Sequence, residues 1–166
     1  MAGSRRLGVA MDFSPCSIKA LQWMVDNIVR EGDTIILIII NPEEYEHGEM
    51  QLWAVTGSPL TPLAEFSASD SVLSKKYGIN PNQEAIKIST AAIEQKKVAV
   101  LVKIYWGDAR EKLCESIDHI PLDSLTMGNR GLGSLRRAIM GSVSNYVVNN
   151  AACPVTVVKS SDHNHH

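Results

Sequence analysis

Apolar and polar positions follow two rhythms along this chain. Residues 7–11 form a short apolar run that ends at Asp12, which predicts a first strand. Ser14 and Pro15 then read as a helix start, Ser14 as the N-cap and Pro15 at the first helical position. Ile18, Leu21, Val25 and Ile28 recur at helical spacing, so one face of that helix packs on a sheet. Gly32 and Asp33 break it. Residues 34–40 are apolar at nearly every position and rich in β-branched side chains, the pattern of a central parallel strand covered on both faces. Asn41-Pro42 closes that strand.

Residues 43–80 lose the rhythm. They hold Gly48, Gly57, Pro59, Pro62 and Gly78 among many Ser and Glu, and read as a long surface excursion with a short helix near residues 69–76. Asn80-Pro81 introduces a helix over 82–95, and 98–105 is the third strand. Gly107-Asp108 leads into a helix over 109–118 with Asp108 as N-cap. A fourth strand spans 122–127, a helix 142–150, and a last strand 155–158 after Pro154. Strands alternating with helices imply parallel pairing and right-handed crossovers in one α/β domain over residues 1–160, with a disordered tail at 161–166.

Composition narrows the function classes. Hydrophobic residues make up 45% of the 166 and charged residues 20%, enough for a core without disulfide or metal staples. The net charge of −2 comes with no basic face, which disfavours nucleic acid as the main partner. No apolar run approaches a membrane span, and no secretory h-region precedes the first strand, so a cytosolic location is the default, with nucleus and membrane periphery open. Cys16, Cys114 and Cys153 are scattered and form no C-x-x-C pair, as in a reduced compartment.

The segment carrying chemistry runs from Met127 to Ser144, between the end of a strand and the start of a helix. Glycines let a backbone approach a phosphate closely. The unpaired N–H groups of the next helix, and its dipole, favour an anion there. Ser142 and Ser144 add hydroxyl donors. A Walker A loop does not fit, since Gly141 and not a lysine precedes Ser142, which weakens a kinase-like lysine clamp. A Rossmann fingerprint is weakened, because the first strand leads into Asp12-Phe13-Ser14. Glycines in such a place can also simply make turns. In an open parallel sheet ligands sit beyond the carboxyl ends of the strands, where the order reverses. With strand order 3-2-1-4-5 that point lies between the first and fourth strands, where Asp12 and Gly128 face one crevice.

Gly128-x-x-Gly131, nine residues, then Gly141-Ser142 resembles the G-x2-G-x9-G-[ST] signature of the universal stress protein family. The opening Val9-Ala10-Met11-Asp12-Phe13-Ser14 and the closing Cys153-Pro154-Val155-Thr156-Val157-Val158 resemble the family's first and last strands. Gly57-Ser58-Pro59-Leu60 and Tyr105-Trp106-Gly107-Asp108-Ala109-Arg110 resemble its small single-domain plant members. The resemblance implies an open five-stranded parallel sheet, order 3-2-1-4-5, with helices on both faces (the adenine nucleotide alpha hydrolase-like fold), and a homodimer formed through the last strand. It implies ATP or AMP as ligand. Asp12 then contacts adenosine, the Ile40 backbone reads the adenine edge, and Gly128, Gly131, Gly141, Ser142, Val143 and Ser144 contact phosphate and ribose. It assigns no role to Asn129 and Arg130.

Several residues keep two readings. Asp12 can contact nucleotide, cap the following helix, or do both. Arg136 and Arg137 can hold phosphate or form a solvated face. Cys16, in the first turn of a helix, can be redox-active or merely half-buried. Trp53 can cover a ligand or only pack. The histidines at 163, 165 and 166 read as a tail or tag, and His47 and His119 are isolated, so no metal site is expected. Three functions compete. The first is a stress-response or signalling module for which the nucleotide is a conformational ligand. The second is a slow Mg²⁺-dependent ATPase or phosphotransferase using Asp12, Ser142 and Arg137. The third is a redox-sensitive chaperone using the cysteines.

Overall fold

The computed structural model describes residues 5–41, 56–67, 82–129 and 142–159. The strands are β1 (Arg6–Ala10), β2 (Thr34–Asn41), β3 (Thr61–Pro62), β4 (Ala99–Trp106), β5 (Ser124–Gly128) and β6 (Val155–Val158). The helices are α1 (Pro15–Asn27), α2 (Ala64–Ser67), α3 (Gln83–Lys96), α4 (Ala109–His119) and α5 (Ser142–Asn150). They build one sheet in the order β3-β4-β2-β1-β5-β6. Its five longer strands are parallel and take the expected order. The strand count is six rather than five: β3, only two residues long, pairs antiparallel with β4, Thr61 opposite Val102 and Pro62 opposite Leu101.

The sheet separates two apolar layers. Leu7, Val9, Ile35, Leu37 and Ile39 face α1 and α3 in the first. Ala10, Ile36, Ile38, Leu125 and Met127 face α4 and α5 in the second. This period-2 division explains why β2 reads as unbroken hydrophobe: both of its faces are covered.

Helix starts follow side-chain chemistry. Ser14 Oγ accepts the Ser17 N–H at 3.2 Å to cap α1, and Pro15 occupies the first turn, where no N–H is needed. Asn82 caps α3 by accepting the Glu84 N–H at 2.7 Å. Asp108 caps α4, accepting from Arg110 at 2.8 Å and Glu111 at 3.4 Å. The Arg110 guanidinium beside it holds the Asp108 carboxyl below its usual range, against the opposing pull of partial burial. At the other end of α1, Lys96 of α3 donates its ammonium to the carbonyls of Val25 and Val29, and Gly32 N–H returns to the Lys96 carbonyl at 3.1 Å. Below the sheet, Arg5 grips Asp33 with Nη2 at 2.6 Å and Nε at 3.2 Å. Burial pushes the Asp33 carboxyl upward, but the bonds from Arg5 and the Arg30 N–H win and hold it low.

The stretch expected to run over the surface instead sends part of itself inward. Ser58, Leu63 and Phe66 are buried, the last two in the first core layer. Gly57 adopts φ +76, and a Cβ there would lie 2.7 Å from the Tyr105 ring and 3.0 Å from the Ile104 carbonyl. Ser58 N–H donates to the Ile104 carbonyl at 2.8 Å, its Oγ accepts the Ile104 N–H at 2.9 Å, and Leu63 N–H reaches the Val100 carbonyl at 3.0 Å. Residues 57–66 thus strap the outer edge of β4, satisfying backbone groups that an edge strand would leave open. Trp53 and the short helix expected near 69–76 lie outside the described residues.

Candidate functional site

The site is set by where β1 ends. Met11 N–H makes the last ladder bond, to the Ile38 carbonyl at 2.8 Å. The chain then turns out of the sheet toward Pro15, which has no N–H to place. The three N–H groups in between each find a side-chain acceptor. Asp12 N–H lies 3.4 Å from Ser17 Oγ, Phe13 N–H lies 3.4 Å from Met11 Sδ, and Ser14 N–H donates to Asp12 Oδ1 at 2.9 Å. Phe13 takes φ 61, a left-handed conformation that costs a non-glycine residue about 1 kcal/mol or more. Asp12 is therefore not the cap of α1, a role that Ser14 fills. It bonds its own turn with one carboxylate oxygen, and Oδ2 has no protein partner among the described residues. That oxygen is open to accept from a hydroxyl.

Ile40 is brought to the same end of the sheet. In a parallel strand, backbone groups face alternate neighbours. Asn41 carbonyl accepts from Gly107 N–H at 2.9 Å on the β4 side, while Ile38 bonds Met11 on the β1 side. Ile40 has the parity of Ile38, so its N–H and C=O point to the β1 side, just past the place where β1 has left the sheet. Its side chain packs on the second core layer. A donor and an acceptor in adjacent positions match the acceptor and donor on an adenine edge.

Gly128 closes β5, on the other side of β1. A Cβ there would meet the Cys16 carbonyl oxygen at 3.1 Å and the Cys16 Cβ at 3.2 Å. Its first physical duty is to let the first turn of α1 lie on the strand. Ser124 and Thr126 share that face by parity with Gly128, so a strip of small residues runs beneath α1. Ser142, Val143 and Ser144 form the first turn of α5. Ser144 is buried, Ser142 and Val143 half-buried, and Val143 leans on the second core layer. Gly131, Gly141, Arg136 and Arg137 lie outside the described residues. Asp12, Ile40 and Gly128 thus stand at the carboxyl ends of three neighbouring strands, around the point where the strand order reverses.

The thiols divide. Cys16 is half-buried against Gly128. Cys114 and Cys153 are half-buried on the second core layer, and burial pushes both thiols up, away from the reactive thiolate. Among the described residues no three His, Cys, Asp or Glu side chains gather as a metal site, and no helix is long and apolar enough to cross a membrane.

The sequence pointed to Asp12 and Gly128 but not to Ser17, Met11 and Phe13, which hold Asp12 in place. The Ser14-x-x-Ser17 spacing, which lets one hydroxyl reach the other's turn, was the available signal.

The model of the universal stress protein family matches residues 3–159. The chain belongs to the universal stress protein family. Two relatives from Arabidopsis thaliana, universal stress proteins PHOS34 and PHOS32, are 33% and 30% identical over 97% of this chain. The chain spans only about two thirds of their length, 64% and 67%. Among solved structures, hypothetical protein MJ0577 superposes with a TM-score of 0.64 at 20% identity, covering 97% of this chain and 99% of the other. A universal stress protein family protein from Arabidopsis thaliana with AMP bound gives 0.57 at 19%, covering 96% and 94%. A universal stress protein in complex with cAMP gives 0.54 at 18%, covering 95% and 98%. These likenesses show the fold. Family membership therefore rests on sequence, and the shared architecture extends over nearly the whole chain.

Proposed function

We propose that this chain binds an adenine nucleotide at the carboxyl end of its sheet and uses it as a conformational ligand in a stress response. The observation that carries this reading is the placement of three unlike groups at the carboxyl ends of neighbouring strands: the open Asp12 Oδ2, the outward Ile40 backbone pair, and the strand end at Gly128. In this reading Asp12 accepts from a ribose hydroxyl and Ile40 pairs with the adenine edge. Gly128, Gly131, Gly141 and the Ser142–Ser144 turn hold ribose and phosphate, the helix N-terminus favouring the anion. AMP and cAMP in structures of the same fold support the ligand class. Which adenine nucleotide is bound, and whether Mg²⁺ accompanies it, are part of the proposal. So are a cytosolic location and a homodimer through β6. The uncharged run over residues 142–158, which includes all of α5 and β6, supports that dimer.

The test is to release any co-purified small molecule with acid and identify it by mass spectrometry. ATP, AMP and cAMP are then titrated calorimetrically against wild type, Asp12→Ala and Gly141→Asp, with and without Mg²⁺. Binding by wild type, its loss in Gly141→Asp and its weakening to a still measurable affinity in Asp12→Ala, with unchanged circular dichroism, are expected. Absence of binding by wild type overturns the reading and leaves the glycines to the fold alone. Phosphate release that requires Mg²⁺ would move the protein to the slow ATPase reading.

A further inference from the structure

We propose that Ser17 is a positioning residue that fixes the direction of the Asp12 carboxylate, and so sets nucleotide affinity without touching the ligand. Its part in ligand binding rests on the adenine-nucleotide reading above, but its grip on the turn does not. Ser17 is 1% exposed and lies on the first turn of α1. Four polar atoms surround its Oγ: Ser14 O at 3.0 Å, Met11 Sδ and Ser14 Oγ at 3.3 Å, and Asp12 N at 3.4 Å. A hydroxyl has one proton and two lone pairs. It donates to Ser14 O or to Met11 Sδ, and both lone pairs remain to receive Asp12 N–H and Ser14 Oγ–H.

The bond to Asp12 N–H is long, yet no other acceptor among the described residues serves that group. The turn it belongs to is strained at Phe13, and among the described residues the acceptors for its three N–H groups are side chains of Met11, Asp12 and Ser17. Removing the Ser17 hydroxyl leaves Asp12 N–H without a partner and uncouples Met11 Sδ from α1. The turn then relaxes out of the left-handed conformation, and the carboxylate swings with it. The hydroxyl faces the interior of the turn, so it acts on the site only through Asp12.

Two measurements on Ser17→Ala and Ser17→Thr test this. Amide hydrogen exchange without nucleotide is followed by NMR. In Ser17→Ala the Asp12 amide is expected to exchange about ten-fold faster or more, while amides in the middle of α1 keep their protection. AMP affinity is measured in a cycle with Asp12→Ala. Ser17→Ala is expected to weaken AMP about ten-fold in the wild-type background and less than about two-fold beside Asp12→Ala, and Ser17→Thr to recover most of the loss. An unchanged Asp12 exchange rate overturns the proposal, as does an equal loss of AMP affinity in both backgrounds, the mark of a merely structural role. If the wild type binds no AMP, the nucleotide reading fails by itself, and the exchange of Asp12 alone decides whether Ser17 holds the turn.

Discussion

The two edges of this sheet are finished in opposite ways. At β4 the outward backbone groups of Val100 and Ile104 are met by Leu63 and Ser58 of the same chain. The cover is locked by Phe66 beneath it and by Lys103, whose ammonium donates to the Ser58 carbonyl at 2.8 Å and lies 5.4 Å from the centre of the Tyr105 ring. At β6 no described segment lies outside. Leu125 N–H bonds the Pro154 carbonyl, so Thr156 and Val158 share that parity and face β5, while Val155 and Val157 turn their N–H and C=O outward. An edge can be closed from within or left open, and among the described residues this sheet has one edge of each kind.

The largest way to break this contrast is Phe66→Ala. Emptying a buried aromatic site is expected to cost about 3–5 kcal/mol and to loosen the strap, read as a lower midpoint in urea and increased aggregation from a bared β4 edge. Ser58→Ala is milder. It keeps the backbone bond but orphans the buried Ile104 N–H, for an expected loss of about 1–3 kcal/mol in the same assay. Val157→Pro acts at the other edge by deleting an outward donor. It is expected to convert the proposed dimer to a monomer in sedimentation while leaving all bonds to β5 in place. If the protein stays dimeric, the copies associate elsewhere.

The smallest effect sharpens the role of Lys103. Burial lowers its amine below the ordinary 10.5, so the folded chain releases that proton before the unfolded chain does. Between the two values the unfolded state binds more protons, and this group makes stability rise with pH. Urea midpoints of wild type relative to Lys103→Met are expected to climb as pH rises toward 10.5 and to level off above it. A flat difference would mean that the amine is hydrated rather than sealed under the strap.

These edges also separate what was legible in the sequence from what was not. The five parallel strands showed because each carries its own signal: consecutive apolar residues in β2, and Ser14-Pro15, Asp108 and Pro154 as punctuation between elements. The strap did not show. Its regular pairing with β4 covers two residues, its other bonds are scattered backbone and side-chain contacts, and its Gly and Pro content reads as loop. Only the tertiary fit of Leu63 and Phe66 reveals that it is core. At the site, Asp12 was visible as the residue that stops an apolar run, while its turn left only the Ser14-x-x-Ser17 spacing as a trace, because a methionine sulfur carries no local pattern. Gly128 was visible as a glycine, but the sequence suggested room for phosphate where the structure also requires room for α1.

The Lys96 bridge joins the ends of α1 and α3, and it decides what can come apart alone. The ammonium of one helix occupies the final carbonyls of the other, and the Gly32 amide returns the connection, so fraying either end strands polar groups on both. The two helices and the turn into β2 are therefore expected to open together, so that proteolysis at the exposed Gly32 turn follows loosening of that whole layer rather than of one helix end.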